Sequence, residues 1–363
     1  MKQKPRVLVA MSGGIDSAIT AMMLHNQGYD LVGVTLKTWD YATSGGSKKE
    51  TGCCSLDSIN DARDLAVSLG FPHYVFDIRN EFDDIIISNF VDEYLAGRTP
   101  NPCVLCNTFI KWEALLKKAD KLSCEFIATG HYANVKSENE RYFISKGIDS
   151  YKDQSYVLWG LSQESLKRTI LPLGNFEKNR IKQIAIENGF KELADKRESY
   201  EICFVPDDDY RGFLKRKVEG LEERVAQGDF VLSNGEKIGK HNGYPFYTIG
   251  QRKGLNIAVG HPLYVVKIIS ETNTIVLGTK DELNSKEMWV SKLNMMKYNE
   301  IPDDFEVRTK IRHRSKETLS RINMIGDKLK VEFYEDISAI TPGQSAVFYD
   351  GNDVIAGGII SNG

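Results

Sequence analysis

From Arg6 to Gly130, short apolar runs alternate with stretches in which apolar residues return every three or four positions. Arg6 to Met11 reads as a buried strand, Ser17 to Gln27 as a helix closed by Gly28, and Leu31 to Leu36 as the next strand. The series continues with a helix from Leu56 to Leu69 stopped by Gly70, a strand from His73 to Ile78, a helix from Glu81 to Ala96 and a strand from Glu125 to Thr129. Strands alternating with helices require a parallel sheet with right-handed crossovers, so this part is expected to be a doubly wound α/β domain. Helical periods resume from Gln163 to about Gly189, and a short charged helix is expected from Tyr210 to Val218. From Gly228 onward short strands are separated by turn residues, as at Ser233-Asn234-Gly235-Glu236, Glu271-Thr272-Asn273 and Asp350-Gly351-Asn352. The last third is therefore mainly β, in two units that meet near Leu283, the second patterned like a barrel. The expected division is 1–210, 211–282 and 283–363. Between Asp40 and Gly52 the chain is too polar and glycine-rich to pack, which suits either a lid or an idle surface loop.

A chain of 363 residues with 41% hydrophobic and 27% charged content can bury two or three separate cores. No apolar run approaches the roughly 20 residues that span a bilayer, and the start of the chain lacks the pattern of a signal peptide. The expectation is a cytoplasmic protein with no membrane association. A net charge of −3 gives no general attraction to nucleic acid, so RNA binding would need a local basic surface. Six cysteines in a reducing compartment point to thiol or metal chemistry rather than a disulfide scaffold.

Ser12-Gly13-Gly14-Ile15-Asp16-Ser17 lies between the first strand and the first helix. Paired glycines allow a tight turn and close approach to a ligand, while helix-start N–H groups and serine hydroxyls can bind phosphate oxygens. The string is neither a Walker A loop nor a three-glycine dinucleotide fingerprint. It resembles the pyrophosphate loop of the N-type ATP pyrophosphatases, which adenylate a substrate and release pyrophosphate. That resemblance implies ATP as cosubstrate and a role for Asp16 in holding Mg²⁺ on the pyrophosphate.

Thr99-Pro100-Asn101-Pro102-Cys103-Val104-Leu105-Cys106-Asn107 follows a predicted helix, and its prolines are expected to keep it extended until a new helix starts near Thr108. Cys106 would then sit close to a helix N-terminus, where the dipole favours thiolate. Downstream, Cys203 stands in a loop after Glu198-Ser199-Tyr200-Glu201. These segments, together with Ala128-Thr129-Gly130-His131-Tyr132-Ala133, Lys152-Asp153-Gln154-Ser155-Tyr156 and Thr341-Pro342-Gly343-Gln344, resemble the tRNA-specific 2-thiouridylase family from the first strand nearly to the C-terminus. The resemblance implies a pyrophosphatase-like catalytic domain, a central tRNA-binding domain and a C-terminal β-barrel. It implies that Cys203 receives sulfur as a persulfide from a cysteine desulfurase or relay protein, and that Cys106 is the partner thiol that releases it. A Cys106–Cys203 disulfide would close the turnover. Ala10, Met11, Ser12, Gly13, Gly14, Ile15, Asp16, Ser17, Leu36 and Gly130 match the family's ATP contacts. Asn101, Pro102 and Cys103 match its target-base contacts, although Cys103 departs from members with Asp after Asn-Pro. His131, Lys152, Asp153, Gln154, Arg312, His313 and Gln344 match its tRNA contacts.

Cys103-x-x-Cys106 also has metal-ligand spacing, and with Cys203 could supply three thiolates to an iron–sulfur cluster or zinc. No second CxxC accompanies it, so a metal-free thiol pair is the preferred reading. Cys53, Cys54 and Cys124 are left outside the chemistry as small packing residues. Arg308-Thr309-Lys310-Ile311-Arg312-His313-Arg314-Ser315-Lys316 alternates basic and other residues along an expected barrel strand, as a phosphate-binding stripe or as a solvated edge. A small-molecule synthetase with the same ATP loop and a non-enzymatic RNA- or metal-binding protein remain as alternatives.

Overall fold

A computed structural model describes residues 4–39, 55–195, 202–205 and 208–362. The loop from Asp40 to Gly52, Cys53, Cys54 and the stretch from Glu198 to Glu201 lie outside the described residues. The N-terminal part contains β1 (Arg6–Ala10), α1 (Ile15–Asn26), β2 (Asp30–Lys37), α2 (Leu56–Ser68) and β3 (His73–Asp77). There follow helix α3 over 79–95, helix α4 over 102–121, β4 (Phe126–Ala128), a hairpin of β5 (Ala133–Glu138) and β6 (Arg141–Lys146), β7 (Thr169–Ile170) and α5 (Lys178–Glu187). The sheet is entirely parallel in the order β3-β2-β1-β4-β7. Strand order reverses direction between β1 and β4, and the crevice beyond their C-terminal ends is where such sheets bind ligands.

Beyond α6 (Tyr210–Lys217), β8 (Gly228–Leu232), β9 (Lys237–His241), β10 (Tyr264–Ile269) and β11 (Thr274–Gly278) make a four-stranded sheet. Of the three turn signals read from the sequence, two fall between strands and the third begins on Asp350, the last residue of a strand. β12 (Asn284–Met295), β13 (Phe305–Lys310), β14 (Thr318–Ile325), β15 (Lys328–Ser338), β16 (Ser345–Asp350) and β17 (Asp353–Ser361) form a ring that β12 closes by pairing with both β15 and β17. Closure removes exposed edges from the barrel. β6 meets β17 at Ser145 and Asp353, so the β5–β6 hairpin joins the barrel to the first unit.

Two buried clusters cross the boundaries between these units. One holds Leu8, Val34, Val104 and Trp112 together with Val347, Tyr349 and Val354 of the barrel. The other joins Phe82, Phe90 and Ile110 to Phe213, Phe230, Val265 and Ile275. Among the described residues no helix is long and apolar enough to cross a membrane.

Two sequence expectations are corrected. The cysteine segment does not stay extended to Thr108: α4 begins at Pro102, because proline fits the first helical position, where its missing N–H costs nothing. The basic stripe is not one strand, since β13 ends at Lys310 and Arg312 to Arg314 lie in the turn that follows.

His241 is buried, accepts a hydrogen bond from Gly243 N at 3.0 Å, and has its pKa lowered to about 4, chiefly by burial. The unfolded chain therefore binds a proton that the folded one refuses between pH 6.5 and about 4, and stability falls as pH drops through that window. The urea midpoint of the His241→Gln variant should fall less steeply over this range than that of the unaltered chain. Equal slopes would show that His241 contributes nothing.

Candidate active site

The turn after β1 is held from below. Met11 N donates to Val34 O at 2.8 Å, and Thr35 Oγ1 donates to Met11 O at 2.7 Å. Gly13 has φ +69°, and a Cβ there would stand 2.1 Å from Ser58 O, so only glycine fits between this turn and α2. Ser12 N donates to Ser17 Oγ at 3.1 Å, and Ser17 Oγ donates to Gly14 O at 3.0 Å, which rolls the turn into the first coil of α1. No side chain caps α1. An uncapped helix start on a glycine turn, at the switch point of the sheet, presents the kind of donors that a polyphosphate takes.

Gly130 closes the opposite wall: a Cβ there would lie 2.7 Å from the main-chain carbon of Asp16. Asp16 is itself occupied. Tyr132 Oη donates to Asp16 Oδ1 at 2.7 Å, and Lys178 Nζ reaches both carboxylate oxygens at 2.7 and 2.8 Å. Lys178 is buried and opens α5. Sequence reading missed it because one lysine in a charged helix carries no pattern. Leu36, near the end of β2, packs against both cross-unit cores. Ala10, Met11, the 12–17 loop, Leu36 and Gly130 thus converge on the switch point.

Cys106 and Ile202 pack against the same core as Leu36, while Cys203 is exposed. Phe204, fully buried, meets Phe82, Phe90 and Phe213 at 5.7, 5.2 and 5.4 Å between ring centroids and so anchors the loop that presents Cys203. Phe204→Leu should cost about 1–2 kcal/mol in urea unfolding and speed alkylation of Cys203. An unchanged midpoint would show that the loop is anchored elsewhere.

Cys106 opens a π-helical segment, Cys106–Ala114, a widened geometry common at functional sites. It is the fifth residue of α4, so the dipole at the helix start acts more directly on Cys103, in the first turn. Cys103 touches solvent, yet the protein crowded around it pushes its thiol up, with Lys111 opposing. Cys124 is buried, as expected. Among the described residues no three His, Cys, Asp or Glu side chains form a metal-holding group.

The expected RNA-contacting residues divide. His131 is buried, hydrogen-bonded through Nδ1 to Thr129 Oγ1 at 2.8 Å, and held neutral by burial, with Lys111 adding to the effect. Asp153 is buried and organises its own turn, accepting from Gly147 N at 3.0 Å and Ser155 Oγ at 2.7 Å. Gln154 Oε1 accepts from Tyr132 N at 2.9 Å. Arg312 is half-buried and donates to Ala339 O and, at 2.9 Å, to Thr341 Oγ1. Gln344 donates to the carbonyls of Thr99 and Pro100. His313 is exposed beside Tyr156, and Lys152 is half-buried.

A doubly wound sheet with an uncapped glycine turn at its switch point defines a nucleotide-binding α/β domain. The family described as "tRNA methyl transferase HUP domain" matches residues 5–207, its PRC-barrel domain matches 212–279, and an "Aminomethyltransferase beta-barrel domain" matches 285–360. The tRNA-specific 2-thiouridylase MnmA of Cytophaga hutchinsonii is 61% identical over 363 residues, covering 100% of this chain and 99% of its own. The same enzyme of Amoebophilus asiaticus is 63% identical over 359 residues, covering 99% and 96%. That of Salinibacter ruber is 56% identical over 364 residues, covering 99% and 95%. The chain belongs to the tRNA-specific 2-thiouridylase family.

Proposed function

We propose that this protein is a tRNA-uridine 2-sulfurtransferase: it adenylates the C2 oxygen of the wobble uridine, U34, with ATP and replaces that oxygen with sulfur from a cysteine persulfide. The observation that carries the reading is the placing of Leu36, beside the phosphate turn, against the same core as Cys106 and the Cys203 loop. Residues 1–210 would carry catalysis, 211–282 would form a central tRNA-binding unit, and 283–363 the barrel.

In the first half-reaction uridine O2 takes the adenylyl group and pyrophosphate leaves. The start of α1, with Ser12 and Ser17, supplies donors to the phosphate oxygens. Mg²⁺ bound to those phosphates would neutralise the leaving group, steadied by Asp16. Lys178 holds Asp16 in place and adds a fixed positive charge where negative charge accumulates.

In the second half-reaction Cys203 carries a persulfide delivered by a cysteine desulfurase or a sulfur-relay protein. The Cys106 thiolate attacks Cys203 Sγ and the persulfide S–S bond breaks. Hydrosulfide leaves, attacks C2 and expels AMP with the original oxygen. The resulting Cys106–Cys203 disulfide takes two electrons from a dithiol reductant before the next turnover. That requirement fits a reducing, cytoplasmic setting. Asn101, Pro102 and Cys103 would line the pocket for the splayed base, with Lys152 and His313 on the RNA side.

The test combines the protein with ATP, Mg²⁺, a desulfurase with cysteine, and unmodified tRNA bearing a wobble uridine, and reads 2-thiouridine by mass spectrometry. Thiouridine dependent on ATP and tRNA is expected. Pyrophosphate released without tRNA, and no thiouridine, would instead indicate a small-molecule synthetase.

A further inference from the structure

The segment that launches the cysteine helix satisfies its backbone from the far end of the chain. Within 99–102, two prolines remove two N–H donors. Thr99 N donates to Pro342 O at 3.0 Å. Thr99 O and Pro100 O accept from Gln344 Nε2 at 3.2 and 2.8 Å. Asn101 stands at the helix start but does not cap it, and the buried Tyr156 donates through its hydroxyl to Ser345 O at 2.9 Å. Gly343, φ +91°, lies so close that a Cβ would stand 2.7 Å from Thr99 O. The turn that supplies these partners is fixed to the barrel, with Gly343 N donating to Ile360 O at 2.9 Å and Ile360 N to Gln344 O at 2.8 Å. Arg312 braces its other flank through Thr341.

We infer that Gln344 is a positioning residue for sulfur transfer: its side-chain amide, through the carbonyls of Thr99 and Pro100, sets the segment Asn101 to Cys106. Only the amide nitrogen is given to this segment and the amide oxygen is not, so the positioning role holds whether or not tRNA also touches Gln344. The barrel thereby acts on Cys106 through two carbonyls. This inference rests on the sulfurtransferase reading for its activity arm but not for its thiol arm.

The experiment uses the full chain with Gln344→Met, which keeps the bulk and removes the donors, and Gln344→Glu, which turns a carboxylate toward two carbonyls. Three quantities are read: the rate of Cys106 alkylation by iodoacetamide from peptide mass spectrometry, tRNA affinity by filter binding, and single-turnover thiouridine formation. Buried Cys124 is followed alongside as a reporter of unfolding. The expected result is a Cys106 alkylation rate in the tRNA-free protein changed by about threefold or more, and thiouridine formation at saturating tRNA slowed by about tenfold, more in Glu than in Met, with Cys124 silent. Weakened tRNA binding with unchanged Cys106 alkylation overturns the inference, and so does no change in either. If Cys124 becomes reactive in Gln344→Glu, the same criteria are applied to Gln344→Met. If the unaltered chain makes no thiouridine, the functional reading falls, while the alkylation comparison still decides the role of Gln344.

Discussion

Cys203→Ser should lose thiouridine formation by about 10³-fold or more while tRNA-dependent pyrophosphate release continues, the scale expected when a covalent carrier is removed. A serine oxygen cannot hold a transferable persulfide, yet the phosphate turn at 12–17 and Asp16 are left unchanged. Cys106→Ser should fall as far by a different route: the persulfide forms on Cys203 and stays there, visible as a mass 32 Da heavier on that peptide, the mass of one sulfur atom. Thiouridine made at near-normal rate by either variant would sink the two-thiol scheme. Loss of pyrophosphate release in either would mean that the cysteines also shape the adenylation site.

The second large effect concerns Lys178. Lys178→Met and Asp16→Asn should each slow tRNA-dependent pyrophosphate release by about 10²–10³-fold, the range for removing one preorganised charge from a transition state. Lys178→Met also leaves Asp16 with Tyr132 as a partner but without its cation. Asp16 is one-third exposed, so water softens the stability cost to about 1–2 kcal/mol rather than that of a fully buried pair. The double variant should regain that stability and none of the activity, since no charge is then left unpaired but neither charge is available to the phosphates. Activity recovered in the double variant would reduce the pair to a structural strut.

Much of this could be read from the residues. The βαβ series was legible because β1 and β2 are continuous apolar runs and because Gly28 and Gly70 mark helix ends. The phosphate turn and both candidate cysteines were legible because each sits in a dense local motif. The β5–β6 hairpin was not, since its mixed polar sequence pairs across a two-residue turn of Asn139 and Glu140, both at positive φ without the usual glycine. The start of α4 was missed because Asn-Pro favours an extended residue before proline, and that residue is Asn101; the helix then begins at Pro102 itself. The partners of Asp16 and Gln344 are separated from them by 162 and 245 positions at most, and no spacing rule reaches that far. Arg312, Asp153 and Gln154 stand at matched positions, yet their described bonds go to the protein's own backbone and side chains.

The grip of residues 342–344 on Thr99 and Pro100 also orders events during synthesis. The cysteine helix leaves the ribosome long before its backbone partners exist, and it reaches its final setting only when the last barrel strand has been made and docked. A chain cut short before Thr341 would carry the ATP turn and both thiols without the setting that couples them. On stalled ribosomes, Cys106 in such a chain should be alkylated as fast as in an unfolded peptide and should slow only after Gln344 has emerged and docked; protection that sets in earlier would show that the helix completes itself unaided.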